Sequence, residues 1–103
     1  KKIKKNETKI NWNISADKVL AHIHGLSPNP GAWFEYKKER FKILKAKLSD
    51  KIGKPSLILD ENLTVACNSN SIQILEIQRQ GKSKQSAKEF LLGNKIIKGS
   101  FLI

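Results

Sequence analysis

The alternation of apolar and polar residues, and the places where it changes phase, restrict the fold of this chain more than any other feature. Residues 40–48 read Arg-Phe-Lys-Ile-Leu-Lys-Ala-Lys-Leu, with Phe41 and Ile43 on one phase and Leu44, Ala46 and Leu48 on the other. Side chains alternate between the two faces of a strand, so one extra residue between Ile43 and Leu44 returns both apolar sets to one face. With a bulge there, Arg40, Lys42, Lys45 and Lys47 all point away from the core. Residues 71–78 behave in the same way: Ile72 and Ile74 give way to Leu75 and Ile77. Repeated bending of this kind is expected of a closed barrel.

The remaining segments read as short elements around those strands. Ser15 is placed to cap a helix over 16–24, Ile14 to staple onto Val19, and Ala16, Val19, Leu20 and Ile23 recur on one helical face before Gly25 ends it. Leu26-Ser27-Pro28-Asn29-Pro30-Gly31 is a loop, because its prolines lack amide donors and restrict the residues before them. Residues 32–36 and 40–48 form a hairpin around Lys37-Lys38-Glu39. Residues 57–59 and 63–67 flank the turn Asp60-Glu61-Asn62, and Asn68-Ser69-Asn70 leads into 71–78, which makes a meander. Ser86-Ala87-Lys88-Glu89 is a capping box for a helix of about two turns that stops at Gly93-Asn94. Ile96-Ile97 and Phe101-Leu102-Ile103, broken at Gly99, return as a last strand. Residues 1–11, polar and basic, read as a linker arm, and 12–103 as one domain.

Twenty Lys and Arg against nine Asp and Glu give a net charge of +11 in 103 residues. Charge at that density repels itself unless a polyanion uses it, which makes RNA the first partner to consider. No apolar run approaches the length of a membrane span, and the opening Lys1-Lys2-Ile3-Lys4-Lys5 lacks the apolar stretch of a signal peptide. A single cysteine excludes an internal disulfide, and a cytoplasmic setting is expected. The chain has no Met and is expected to be part of a longer polypeptide.

The residues of catalysis and metal binding are not arranged for either. His22 and His24 on a helix would point about 200° apart, so neither metal nor cofactor binding is expected, and both read as surface groups within reach of phosphate. Cys67 falls in the apolar phase of Leu63 and Val65 and reads as a core thiol. Asp60 and Glu61 are adjacent turn residues, and the glycines are scattered singly. The chain by itself is expected to catalyse nothing. What stands out is a basic surface in three clusters: Lys1, Lys2, Lys4 and Lys5 in the arm; Arg40, Lys42, Lys45 and Lys47 on a strand; and Arg79, Lys82 and Lys84 in the loop before the last helix. Trp12, Trp33, Phe34 and Tyr36 offer stacking faces, although Trp33 is assigned to the core.

The run Ile23-His24-Gly25-Leu26-Ser27-Pro28-Asn29-Pro30-Gly31-Ala32-Trp33, with Ile10-Asn11-Trp12 ahead of it, resembles the opening of the carboxy-terminal domain of methionyl-tRNA formyltransferases. Lys42-Ile43, Gly53-Lys54-Pro55, Leu63-Thr64-Val65-Ala66-Cys67, residues 75–78, Gly81-Lys82 and Phe90-Leu91-Leu92-Gly93 extend the resemblance over nearly the whole chain. The family's loop reads I-R-G-L-N-P-W-P-G-A, so His24, Ser27 and Asn29 depart from it.

The resemblance implies a mainly β fold, an oligonucleotide-binding-like β-barrel with an N-terminal α-helix and a short C-terminal helix. It implies an N-terminal Rossmann-like catalytic domain in the same chain and formyl-tetrahydrofolate as formyl donor there. It also implies initiator Met-tRNA as the partner of the basic surface. Two other readings stay open: the same domain in a sugar-nucleotide or other formyl-tetrahydrofolate-dependent formyltransferase, and a stand-alone RNA-binding barrel.

Overall fold

The structure is a computed structural model, and it describes residues 8–93 and 96–102. Helix α1 (Ala16–Leu26) precedes strands β1 (Ala32–Tyr36), β2 (Glu39–Ser49), β3 (Thr64–Ala66), β4 (Ser71–Arg79) and β5 (Lys84–Ser86), and helix α2 (Ala87–Gly93) follows. The strands form one antiparallel, five-stranded sheet in the order β1-β2-β4-β3, with β5 also on β4. One edge of β4 pairs with β2; the other is shared by β3 at residues 71–73 and β5 at 76–78. The sheet curls, but no ladder joins β1 to β3 among the described residues, so the closed barrel expected from the bends is here a half-barrel.

Both phase slips are present, and they face each other. Across β2 and β4 the register runs Ile43 with Ile77, Lys45 with Glu76 and Ala46 with Ile74, which leaves Leu44 and Leu75 as the extra residues. Phe41, Ile43, Leu44 and Ala46 are buried as a result, as are Ile72, Ile74 and Ile77. Leu48, placed with the core set by its phase, is instead 52% exposed near the end of β2.

An aromatic row ties the elements together. Trp12 meets Phe34 edge-on at 6.3 Å, Phe34 stacks on Phe41 at 5.4 Å, and Phe41 meets Phe90 of α2 edge-on at 5.5 Å. Each such pair contributes about 0.5–1.5 kcal/mol beyond its buried area. Val19, Ile23 and Leu26 of α1 are buried in the same cluster, along with Cys67, whose thiol burial pushes up to about 11.

Several boundaries differ from expectation. Helix α1 runs through Gly25 to Leu26 and ends where Pro28 and Pro30 make further helix impossible. Ser15 stands at its N-cap without a side-chain cap bond to the backbone. The β1–β2 turn is two residues, Lys37 and Lys38 at φ +50° and +67°, the left-handed pair that a tight hairpin needs, while Glu39 already pairs with Tyr36. Residues 80–83 are the turn of a β4–β5 hairpin, not a loop running to the helix. The capping box forms as expected: the Glu89 amide donates to Ser86 Oγ and the Ser86 amide to Glu89 Oε1, both at 3.1 Å.

In place of regular strands, 57–58 and 101 make isolated bridges, Leu57 to Phe101 and Ile58 to Val65. The expected stop at Asn94 and the end of the last strand at Ile103 fall outside the described residues. Thr8 to Ile10, read as the end of the linker arm, are tied to β1: Lys9 bridges Trp33 in parallel and the Ile10 amide donates to the Trp33 carbonyl at 2.8 Å.

Candidate nucleic-acid interface

The register assembles the outer face of the sheet. Residues directly opposite in an antiparallel pair share a face, and the pairings Trp33 with Lys42, Lys42 with Gln78, and Gln78 with Lys84 therefore set four side chains from β1, β2, β4 and β5 in one row. Flanking rows carry Arg40 opposite Glu35, Lys45 opposite Glu76 and Lys47 opposite Gln73. Arg40, Lys45, Lys47 and Lys84 are exposed and Lys42 is half-buried. None of these five cations pairs with a carboxylate among the described residues. Of the expected basic clusters, the strand cluster is thus joined by Lys84.

Lys82 lies in the exposed turn beside that row, where its carbonyl accepts a 2.9 Å bond from Gln78 Nε2. Arg79 is different. Its register partner is Phe41, on the core side, and its Nε donates to Glu39 Oε2 at 2.6 Å, so part of its charge is already compensated. Lys1, Lys2, Lys4 and Lys5 lie outside the described residues.

A cleft of about 220 Å³ opens on this face, lined by Trp33, Arg40, Lys42, Gln78, Arg79 and the 80–81 turn. Trp33 lies beside it and not in the core. In β1 the buried positions are Ala32, Phe34 and Tyr36, so Trp33 shares its phase with Glu35, and that acidic neighbour two residues away is the signal that its side faces outward. The indole is fixed from behind: Nε1 donates to Thr8 Oγ1 at 2.8 Å. Two cations sit over the ring, the Arg40 guanidinium at 4.2 Å and Lys9 Nζ at 5.5 Å from its centroid. Trp12, Phe34 and Tyr36, the other aromatics considered for stacking, are buried. Thr8 and Lys9 were hidden from sequence reasoning because their polar surroundings look like linker.

The proline loop supports Lys42. Gly31 adopts φ +86°, and a Cβ there would lie 2.8 Å from Lys42 Cδ and 3.3 Å from the Pro28 carbonyl. The bare glycine backbone is thus the floor on which the Lys42 stem rests, which accounts for its partial burial. His24, on the last turn of α1, accepts a long bond of 3.4 Å from the Ala46 amide through Nε2, beside the bulge. Among the described residues no three His, Cys, Asp or Glu converge on a metal position, and no helix is long and apolar enough to cross a membrane.

Away from this face, partial burial raises the Asp60 pKa, but Lys51, Thr64 and the Asn62 amide more than offset it and hold the carboxyl at about 2. The Lys51 ammonium stands 2.6 Å from Oδ2, and the amides of Asn62 and Thr64 donate to Oδ1 at 2.8 and 3.2 Å. Asp60 therefore organises its turn, as a structural residue.

Comparison with known proteins agrees with this architecture. The family described as "Formyl transferase, C-terminal domain" matches residues 2–95. Methionyl-tRNA formyltransferase of Pelagibacter ubique (strain HTCC1062) is 50% identical over 100 residues, covering 96% of this chain and 32% of that protein. Its counterpart in Bradyrhizobium sp. (strain ORS 278) is 45% identical over 102 residues, covering 95% and 33%. The chain thus spans about a third of the length of these relatives. HypX from Aquifex aeolicus, solved in complex with tetrahydrofolic acid, superposes with a TM-score of 0.68 over 99% of this chain and 21% of its own. At 16% identity that match speaks to the fold alone.

Proposed function

The chain belongs to the formyl transferase C-terminal domain family, and from that premise we propose that its outer sheet face is the RNA-holding surface of a methionyl-tRNA formyltransferase. The observation that carries this reading is the predominantly cationic face, on which Glu35 and Glu76 are the acidic residues among the rows described. Arg40, Lys42, Lys45, Lys47 and Lys84 lie together on it without carboxylate partners among the described residues, next to the point where Lys9 joins the sheet. The arm bearing Lys1, Lys2, Lys4 and Lys5 would extend the track from there, since seven residues reach at most about 25 Å. The sheet would present charge as oligonucleotide-binding barrels do, with phosphates as the main contacts.

In the parent enzyme a Rossmann-like domain of the same chain would bind formyl-tetrahydrofolate and pass the formyl group to the methionine amino group of initiator Met-tRNA. This domain would supply position and not chemistry. A cytoplasmic location follows from that role.

The test is binding of the chain to initiator tRNA over a salt series, in which each phosphate contact steepens the logarithmic slope by about 0.7–0.9. A slope worth roughly four or more contacts supports the reading. Replacing the exposed Lys45 and Lys47 together by Glu should flatten the slope and weaken binding with little change in stability, because exposed charges contribute about 0–1 kcal/mol to folding. A flat slope in the unsubstituted chain would move the assignment to a formyltransferase acting on a nucleotide sugar, or to a domain that only braces its catalytic partner.

A further inference from the structure

Resting on the RNA reading, we infer that the cleft beside Trp33 seats a single phosphodiester group on Arg40 and Lys42, and that Trp33 is the positioning residue that aims Arg40. A tryptophan on an exposed sheet face is ordinarily a platform for a base. Here the platform is occupied: the Arg40 guanidinium lies 4.2 Å from the ring centroid, at the distance a stacked base would take, and Lys9 also sits over the ring. A base would have to displace a cation to stack, whereas a phosphate would meet one.

The contact over the ring leaves guanidinium donors available, since Arg40 has five N–H groups and makes no ion pair among the described residues. Glu35, the acidic residue opposite Arg40 across the ladder, makes no ion pair with it among the described residues. The guanidinium is thus held over the ring and kept available for a two-point bond to a phosphate. Its rigidity is inherited. Arg40 leans on Trp33, and Trp33 is pinned by Thr8 Oγ1 and by the bridge at Lys9.

The second cation is positioned independently. Lys42, directly opposite Trp33 in the ladder, lays its stem along Gly31 and also lines the cleft. Gln78 Nε2 is engaged with the Lys82 carbonyl, which closes the far wall by tying down the β4–β5 turn. Arg79, which also lines the cleft, is held by Glu39. The ligand chemistry this suits is one doubly contacted phosphodiester with its base directed away from the sheet.

The experiment is initiator tRNA binding over the same salt series with five variants. Arg40→Ala and Lys42→Ala should each reduce the slope by about 0.7–0.9. Trp33→Ala removes no charge, yet should reduce it by the same amount, with no further reduction when combined with Arg40→Ala. Trp33→Phe, which keeps a ring face for Arg40, should restore most of the slope, and denaturant melts of each variant verify that the fold is intact. Should Trp33→Ala fail to fold, Arg40→Ala and Trp33→Phe still decide the matter. Trp33→Ala weakening binding at unchanged slope, additively with Arg40→Ala, would mean base stacking and would overturn the inference. So would a steep parental slope that Arg40→Ala leaves untouched. A flat parental slope would instead sink the RNA reading on which the inference stands.

Discussion

Gly31→Ala should cost both stability and RNA affinity, and the structure says how the cost divides. At φ +86° an L side chain is strained by about 1–2 kcal/mol. The new methyl would also lie 2.8 Å from Lys42 Cδ, so Lys42 must leave its rotamer at about 0.5–1.5 kcal/mol. Stiffening the unfolded chain returns about 0.4–1 kcal/mol. The net loss is about 0.5–3 kcal/mol, read as a lowered urea midpoint at unchanged m-value. A double-mutant cycle separates the parts. In a Lys42→Ala background the clash with the Lys42 stem vanishes while the backbone strain and the approach to the Pro28 carbonyl remain, so the two substitutions are non-additive by about 0.5–1.5 kcal/mol. On RNA, Gly31→Ala should lose close to one contact of salt slope by displacing the Lys42 head group. Strict additivity, or a cost below about 0.5 kcal/mol in both backgrounds, would refute the claim that Gly31 is the seat of Lys42.

Asp60, depressed to about 2 from 3.8, stabilises the fold above its unfolded pKa, and that contribution is lost as pH falls from about 5 towards 2. Allowing for solvent around the half-exposed Lys51, Asp60→Asn should remove about 1 kcal/mol at pH 7 and flatten the acid limb of a stability profile; an unchanged acid limb would count against it. Ser86→Ala breaks one half of the capping box and should cost about 0.5–2 kcal/mol in a denaturant melt, with no loss if α2 stands without its cap. Cys67, buried with its thiol raised to about 11, should react with iodoacetamide at neutral pH only after urea unfolds the chain; fast labelling of the folded chain would contradict its place in the core.

Much of this architecture is legible from the residues because strand phase is a strong code when one face is buried. The slips at Ile43/Leu44 and Ile74/Leu75 could each be read alone, since every apolar side chain must return to the core. Strand phase also explains the errors. Size and hydrophobicity place Trp33 inward, yet Phe34 next to it can be buried only if Trp33 is not, and Glu35 marks the outward phase. Leu48 follows the inward phase but is exposed beside the end of β2, although it still pairs with Ile72. Strand β5 escaped notice because Lys84-Gln85-Ser86 has no apolar alternation; its pairing with β4 is enforced by the turn at Gly81, φ +80°, and by the capping box just beyond. Lys9 joins the sheet through a backbone bridge to Trp33, which side-chain composition does not encode, and that bridge brings the Thr8 hydroxyl to the indole.

What neither slip reveals alone is that the basic face needs both. A lone bulge at Leu44 would put Lys45 and Lys47 on the face of Lys42, but would leave β4 one residue out of step. Past the bulge, either β2 would have to lose its pairing or Gln73 would turn inward while Ile72 and Ile74 turned out. With Leu75 set opposite Leu44, the pairs Lys42–Gln78, Lys45–Glu76 and Lys47–Gln73 all remain outward, and Ile43–Ile77, Ala46–Ile74 and Leu48–Ile72 keep the other phase. The sheet thus bends without changing which side is charged. Removing Leu75 alone would therefore disturb the basic face as much as removing Leu44, although no cation lies on β4 between Ser71 and Gln78.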